Sequence, residues 1–200
     1  ARNPQGSAGL QELQAAHGAA LRCLACDVGD DAAVAHAAAT VGKAGGFDLL
    51  LNNAGISRGR RAGVDQVDLE DMRRCFEINA LGPLRVARAL HATLAKGTRP
   101  RLVNMTSLMG SIADNSSGGS YAYRTSKTAL NMITRNLAHD LGPGLVVAAL
   151  HPGWVRTDMG GKSAPLAIDA AVAAMIATID GLGSAHSGAF LDRDGATLPW

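Results

Sequence analysis

Helical and strand signals alternate along the chain, and this alternation constrains the fold more than any other feature. Ala-rich stretches with helical character are separated by short apolar runs rich in Leu, Val and Ala, and glycines stop several of the helical stretches. Strands that alternate with helices are typical of a parallel sheet covered by helices. The predicted fold class is therefore α/β with a parallel sheet.

The same pattern predicts where each element lies. Helices are expected at 7–19, 30–44, 69–96, 121–141 and 167–180. Strands are expected at 21–27, 47–53, 101–106, 144–151 and 188–192. Because no internal repeat and no linker interrupts this order, residues 1–200 are predicted to form a single domain.

Composition and charge exclude several classes of partner. An apolar content of 47% is enough for one substantial core, and a net charge of +2 with 19 scattered basic residues predicts no nucleic-acid partner. No apolar run approaches the ~20 residues of a membrane span. The sequence does not open with a charged and then apolar leader, so a cytoplasmic location and no membrane partner are expected.

The three cysteines do not indicate a disulfide framework, because their number is odd. Cys23 and Cys26 form a C-x-x-C pattern inside the strand predicted at 21–27, where positions three apart face opposite sides. No second Cys or His pair accompanies them, so a structural role is preferred over redox or zinc chemistry and no metal site is predicted. His151 is likewise interpreted as structural.

A Tyr and a Lys four residues apart stand at the start of the helix predicted at 121–141. Residues i and i+4 share a helix face, so the ammonium of Lys127 can lie beside the phenol of Tyr123. A free phenol has a pKa of about 10, and a neighbouring cation lowers that pKa toward the range useful for acid–base catalysis. Tyr121 has Thr125 at the corresponding position, so Tyr123 is the candidate acid.

Further motifs surround this pair in a fixed order. Asn-Asn-Ala-Gly ends an apolar run at 52–55, Asn79 interrupts a helical region, Ser107 follows the strand predicted at 101–106, and Pro-Gly-Trp-Val-Arg-Thr occupies 152–157. In this order the motifs resemble the short-chain dehydrogenase/reductases, a nicotinamide-dependent family. The phrases at 121–127, 151–161 and 194–200, together with Asn131, are similar to the C-factor/sniffer-type carbonyl reductase branch.

The resemblance implies a Rossmann-type doubly wound parallel sheet and reduction of a carbonyl by hydride transfer. It implies four catalytic residues: Asn79, Ser107, Tyr123 and Lys127. Tyr123 would donate the proton and Ser107 would hold the carbonyl oxygen, while Lys127 would lower the Tyr123 pKa and bind the nicotinamide ribose, with Asn79 linking Lys127 to solvent. Ser107 and Tyr123 are 16 residues apart, a longer interval than usual in the family, and Ser107 is preferred over Thr106 and Ser111.

The resemblance also implies where NADP(H) would bind. Asp27 and Val28 would contact adenine, and Arg2 can pair with the 2′-phosphate, which favours NADP over NAD. Three residues after the strand at 47–53 would line the ribose side of the cleft: Asn53, Ala54 and Gly55. Four residues would face the nicotinamide, in addition to Tyr123 and Lys127: Pro152, Gly153, Val155 and Thr157. The expected partners are a small carbonyl substrate and, for the assembly, a second copy of the chain in a homodimer.

One hallmark of the family is absent from this sequence: the first strand with its TG-x-x-x-G-x-G turn. The chain therefore resembles a family member without its first strand, Gly-rich turn, first helix and most of its second strand. We expect an open sheet edge at Leu49–Asn52 and weak cofactor binding by these 200 residues alone. The rival interpretation is a non-catalytic fragment or signalling protein that keeps the fold. A third interpretation, a substrate-binding module without turnover, would require one of the four catalytic residues to be missing, and all four are present.

Overall fold

The computed structural model of the chain describes residues 1–59 and 63–200 as a layered arrangement of helices on a sheet. The α-helices are α1 (Ala8–His17), α2 (Asp31–Gly42), α3 (Leu69–Phe76), α4 (Gly82–Leu94), α5 (Tyr121–Asp140) and α6 (Ile168–Gly181). The strands are β1 (Leu49–Asn52), β2 (Arg101–Met105), β3 (Val146–His151) and β4 (Ala189–Asp192). A π-helix, Glu77–Leu81, joins α3 to α4.

The four strands are all parallel and lie in the order β1-β2-β3-β4. One face of the sheet packs against α6 through a cluster that includes Val103, Leu150 and Ile179. The other face packs against α4 and α5 through a cluster that includes Leu102 and Val147. Helices on both faces of a parallel sheet confirm the predicted Rossmann-type α/β class.

The helices begin and end where their sequences supply the required local bonds. Asp30 accepts hydrogen bonds from the backbone amides at the start of α2, and Asp68 does the same for α3. Gly142, with a φ of 70°, follows the end of α5 in a left-handed conformation that glycine adopts without strain. These signals explain why the predicted helices lie within a few residues of the observed ones.

The strand predicted at 21–27 is wrong, because this segment runs through the structure without strand pairing. A strand needs a neighbouring strand along its length. Among the described residues, the long-range backbone hydrogen bonds of this segment go to Ala1 alone, which is too short a partner to form a strand pair. The Ala1 ammonium donates to Leu24 O, and Cys26 N donates to Ala1 O at 2.9 Å. The argument that Cys23 and Cys26 face opposite sides of a strand therefore fails, although both thiols are free and half-buried.

Strand β1 forms an edge of the sheet in the described part of the chain, as predicted for Leu49–Asn52. Its pairing partner is β2, and Leu49 and Leu51 are 38% and 42% exposed. Their neighbour Leu50 packs on the opposite face, against the cluster beneath α4 and α5. Across the described residues, none of the helices combines the length and the apolar character needed to cross a bilayer.

Candidate active site

The side chains of Tyr123 and Lys127 lie side by side in the first two turns of α5. The Lys127 ammonium is 5.8 Å from the centroid of the Tyr123 ring. Tyr123 is half-buried, whereas Lys127 is only 5% exposed. The phenol can therefore reach a ligand, and the cation sits behind it, inside the protein.

Burial controls the charge on Lys127. Its ammonium donates a hydrogen bond to Met105 O at 2.7 Å, at the carboxyl end of β2. Desolvation lowers the pKa of Lys127 to about 8, and the nearby Cys75 opposes this shift. A pKa of about 8 keeps most of the population cationic at neutral pH, so the positive charge next to the phenol persists under those conditions.

This lowered pKa makes the stability of the fold depend on pH in a predictable direction. In the folded state Lys127 releases its proton near pH 8, whereas in the unfolded chain it does so near 10.5. At neutral pH the charged Lys127 must be buried on folding, and this burial lowers the free energy of unfolding. The loss of stability disappears as the pH rises from about 8 to about 10.5. The full effect is about 3 kcal/mol in the free energy of unfolding.

We expect Lys127→Met to be more stable than the parent protein near neutral pH, and this advantage to shrink as the pH rises to about 10. Urea unfolding of both proteins across that range measures the difference. Lys162→Met is the matched control, because Lys162 is exposed and its replacement removes a cation without relieving any burial. A pH-independent difference for Lys127→Met would show that the Lys127 pKa is not lowered.

Ser107 lies directly after β2, in a turn that faces α5. Its hydroxyl oxygen accepts a hydrogen bond from Met109 N at 3.2 Å, which leaves the hydroxyl hydrogen as a donor for a ligand. The hydroxyl of Thr106 instead donates to Asn131 Oδ1 at 2.6 Å. Ser111 lies beyond the turn and is 2% exposed. This arrangement favours Ser107 over the two alternatives.

Asn79 lies in the π-helix and is fully buried. Its side-chain oxygen accepts from Ile56 N at 2.8 Å, and its amide donates to Ile56 O at 2.9 Å and to Ser126 Oγ at 3.0 Å. A π-turn within an α-helix is frequently found at functional sites. Asn79 therefore connects the segment after β1 to α5. These bonds explain why Asn, a poor helix former, occupies the middle of a helical region.

The segment that follows β1 passes close to the side chains of Asn79 and Lys127. A Cβ atom on Gly55 would lie 3.4 Å from Asn79 Oδ1 and 3.6 Å from Lys127 Nζ. Asn53 and Ala54, which precede it, are exposed. The segment thus forms a wall beside Lys127 whose outer surface is open to a ligand.

At one point the loop after β3 has a backbone conformation that strongly favours glycine. Gly153 has a φ of 84°, and a Cβ there would lie 2.5 Å from Leu166 Cδ1 and 2.8 Å from Arg193 Nη1. Val155 pairs with Leu166 in an isolated bridge, and the exposed Thr157 accepts a hydrogen bond from Gly160 N through its hydroxyl. Pro152 is half-buried. The loop is therefore held in one shape at the carboxyl edge of the sheet.

The residues predicted to contact adenine lie in the turn before α2. Asp27 Oδ1 accepts from Gly29 N at 2.9 Å, and Val28 O accepts from Arg85 Nη1 at 2.6 Å. Arg2 is exposed and follows Ala1, whose carbonyl bonds to Cys26 N. Arg2 is therefore next to the segment that leads into Asp27.

The sequence did not reveal a chain of buried amide and hydroxyl groups beneath this site. Asn52 donates to Asn104 Oδ1 at 2.8 Å, Asn104 donates to Thr134 Oγ1 at 2.9 Å, and Thr134 donates to Leu130 O at 2.7 Å. The available signal was an Asn inside each of two predicted apolar strands. These bonds join β1, β2 and α5, the three elements whose ends carry the candidate residues.

Two other features lie apart from the candidate chemistry. His151, at the end of β3, has its pKa lowered by burial, and its Nδ1 is buried without a partner among the described residues. A groove of about 420 Å³ lies between α2, α4 and α5, and no predicted site residue lines it. Within residues 1–59 and 63–200, His, Cys, Asp and Glu side chains form no group of three that could hold a metal ion.

The chain is similar to several known proteins over most of its length. The family model described as enoyl-(acyl carrier protein) reductase matches residues 1–185. C-signal of Myxococcus xanthus is 51% identical over 157 residues, which are 78% of this chain and 94% of that protein. The carbonyl reductase Sniffer of D. melanogaster superposes with a TM-score of 0.96 at 34% identity, covering 100% of this chain and 86% of that one. An NADPH-bound carbonyl reductase from chicken fatty liver gives a TM-score of 0.91 at 35% identity, covering 100% and 85%.

Proposed function

The chain belongs to the short-chain dehydrogenase/reductase family, in the branch of the C-factor and Sniffer-type carbonyl reductases, and we propose that it reduces carbonyl compounds with NADPH. Relatives in this family are oxidoreductases, and the comparisons support that class of chemistry. The observation that carries the proposal is the position of the half-buried Tyr123 phenol, 5.8 Å from the buried Lys127 cation. This pair of side chains places a phenolic acid next to a positive charge, at the carboxyl edge of the sheet, where ligands of α/β proteins bind.

In the proposed reaction Tyr123 donates its proton to the carbonyl oxygen of the substrate. Ser107 donates a hydrogen bond to the same oxygen, because its own oxygen is already satisfied by Met109 N. Lys127 stabilises the phenolate that Tyr123 leaves behind, and Asn79 holds the wall beside Lys127 through Ile56. NADPH would supply the hydride that reaches the carbonyl carbon.

The residues present fit the adenine, ribose and nicotinamide parts of a dinucleotide, and the Gly-rich turn that would bind its pyrophosphate is not among these 200 residues. Gly153 keeps a side chain out of the space beside Leu166 and Arg193, and the exposed Asn53 and Ala54 leave the surface beside Lys127 open to a ligand. The proposed adenine contacts are Asp27 and Val28, and the proposed ribose contacts are Lys127 and the run Asn53, Ala54 and Gly55. The proposed nicotinamide contacts are Pro152, Gly153, Val155, Thr157 and Tyr123. Known structures of related proteins include NADPH-bound and NADP-bound forms, which supports this choice of cofactor.

The proposed phosphate contact is Arg2, which is exposed beside the segment leading into Asp27. The test uses the protein expressed from the complete open reading frame that encodes it. We expect consumption of NADPH in proportion to the loss of a reactive dicarbonyl, with NADH much less effective. In Arg2→Asp the ratio of kcat/KM for NADPH to that for NADH should fall steeply, because a carboxylate repels the 2′-phosphate.

Arg22→Asp is the matched control for this substitution, since Arg22 is also exposed but lies outside the predicted cofactor site. It should leave the cofactor ratio unchanged. An unchanged ratio in Arg2→Asp would remove Arg2 from the proposal, and absence of NADPH-dependent carbonyl reduction in the parent protein would overturn the proposed function itself.

A second candidate function, signalling without turnover, is favoured by one observation. The chain is 51% identical to C-signal over 94% of that protein's length. The same assay separates the two candidates, because a signalling protein that merely keeps the fold would show no turnover sensitive to the loss of Tyr123.

A further inference from the structure

We propose that Asn131 and Thr106 are positioning residues that hold Ser107 at a set distance from Tyr123 and Lys127. The inference rests on the proposed function and names residues that the proposed reaction does not itself use. It concerns the turn that follows β2, residues 107–110, here called the serine turn.

Asn131 bonds to the chain on both sides of Ser107. Its side-chain oxygen accepts from Thr106 Oγ1 at 2.6 Å, and its amide donates to Gly110 O at 3.2 Å. Both bonds are buried, and Asn131 itself is 3% exposed. One side chain of α5 therefore fixes the residue before Ser107 and the last residue of the serine turn.

Other side chains of α5 bind the same turn. Thr128 Oγ1 donates to Gly110 O at 2.9 Å, and Arg124 Nη1 donates to Met109 O at 3.4 Å. Arg124, Thr128 and Asn131 follow one another at spacings of four and three residues, which places them along one side of the helix. The serine turn thus lies along the first three turns of α5, which include Tyr123 and Lys127.

The serine turn also touches the helix backbone directly. A Cβ atom on Gly110 would lie 2.9 Å from both the carbonyl carbon and the Cβ of Lys127. Real Cβ atoms do not approach backbone this closely, so any larger residue at 110 would push the turn away from α5. The contact that sets the distance of the turn from the helix is therefore made at Lys127 itself.

This arrangement allows the fold to accommodate the long interval between Ser107 and Tyr123. The 16-residue separation includes a loop whose length differs from the family norm, yet the bonds to Gly110 O, Met109 O and Thr106 Oγ1 bypass that loop. The position of Ser107 relative to Tyr123 then depends on α5, and the loop at 111–120 can vary without moving it.

The test compares two changes at Thr106 in the protein expressed from its complete reading frame. Thr106→Val removes the hydroxyl that donates to Asn131, and Thr106→Ser keeps it. We expect kcat to fall by about 10²-fold in Thr106→Val, since a displacement of the order of 1 Å has an effect of that size. The KM for NADPH should stay unchanged, and Thr106→Ser should restore kcat.

A second measurement is independent of turnover. The amides of Met109, Gly110 and Ser111 are held by bonds within the turn, so their hydrogen exchange reports its opening. We expect exchange of a peptide spanning 106–112 to accelerate at least tenfold in Asn131→Ala. Asn136→Ala is the matched control, because Asn136 is exposed on the same helix and should leave that peptide unchanged.

Faster exchange together with a fall in kcat that Thr106→Ser rescues would support the proposal. Unchanged exchange in Asn131→Ala, or faster exchange with the parental kcat in Thr106→Val, would overturn it. If the parent protein reduces no carbonyl, the proposed function fails, and the exchange measurement alone still decides whether Asn131 holds the turn.

Discussion

Tyr123→Phe is expected to lower turnover by about 10²–10⁴-fold, the loss typical of removing a general acid. The substitution deletes one hydroxyl and leaves the ring that lies 5.8 Å from the Lys127 ammonium. Shape and packing therefore change little, and the affinity for NADPH should barely change, because the ring stays in place and only one hydroxyl is lost. Steady-state turnover and fluorescence titration of NADPH measure the two quantities separately.

Tyr121→Phe is the matched control for this prediction. Tyr121 lies two positions earlier on the same helix and is 39% exposed, and the residue four positions after it is Thr125 instead of a cation. It should keep the parental turnover. Equal losses in the two variants would mean that the phenol of Tyr123 has no special role, and parental turnover in Tyr123→Phe would assign the proton to another group.

The sequence predicted the fold class because each layer has its own local signal. The Ala-rich helices, the capping Asp30 and Asp68, and the terminating Gly142 act within a few residues of themselves, so their consequences are readable without tertiary information. The segment at 21–27 has an equally strong apolar signal. It is not a strand because strand formation depends on a partner elsewhere in the chain, and that partner is invisible to a local pattern.

The same difference between local and long-range information applies to the candidate site. The spacing of Tyr123 and Lys127 places them on one helix face, which is a local inference, and the structure has them adjacent. The bonds of Asn131 to Thr106 and Gly110 span more than twenty residues, and those joining Asn52, Asn104 and Thr134 span still more. Buried amides of this kind lack a period or a motif, and only the packed structure shows which of them meet.

Asn79→Ala is expected to have the second largest effect, because one fully buried side chain satisfies three groups at once. Its loss leaves the N–H and C=O of Ile56 without their side-chain partner and removes one of the two bonds of the Ser126 hydroxyl, which still donates to Tyr123 O. Each unsatisfied buried group costs about 1–3 kcal/mol, so the free energy of unfolding should fall by about 3 kcal/mol in total. The segment that carries Gly55 past Lys127 would then be free to shift, and we expect kcat/KM to fall by about 10²-fold.

Ser126→Ala separates the two consequences of that change. It removes the bond from Asn79 to Ser126 but leaves both bonds to Ile56, so it should cost about 1 kcal/mol of stability and keep most of the turnover. Urea unfolding and steady-state kinetics on both variants give the comparison. If Asn79→Ala lost stability yet kept the parental kcat/KM, Asn79 would be a packing residue of the π-helix. A large kinetic loss in Asn79→Ala alone would instead connect the wall beside Lys127 to the chemistry, because both variants lose the bond between Asn79 and α5 and only Asn79→Ala also loses the bonds to Ile56.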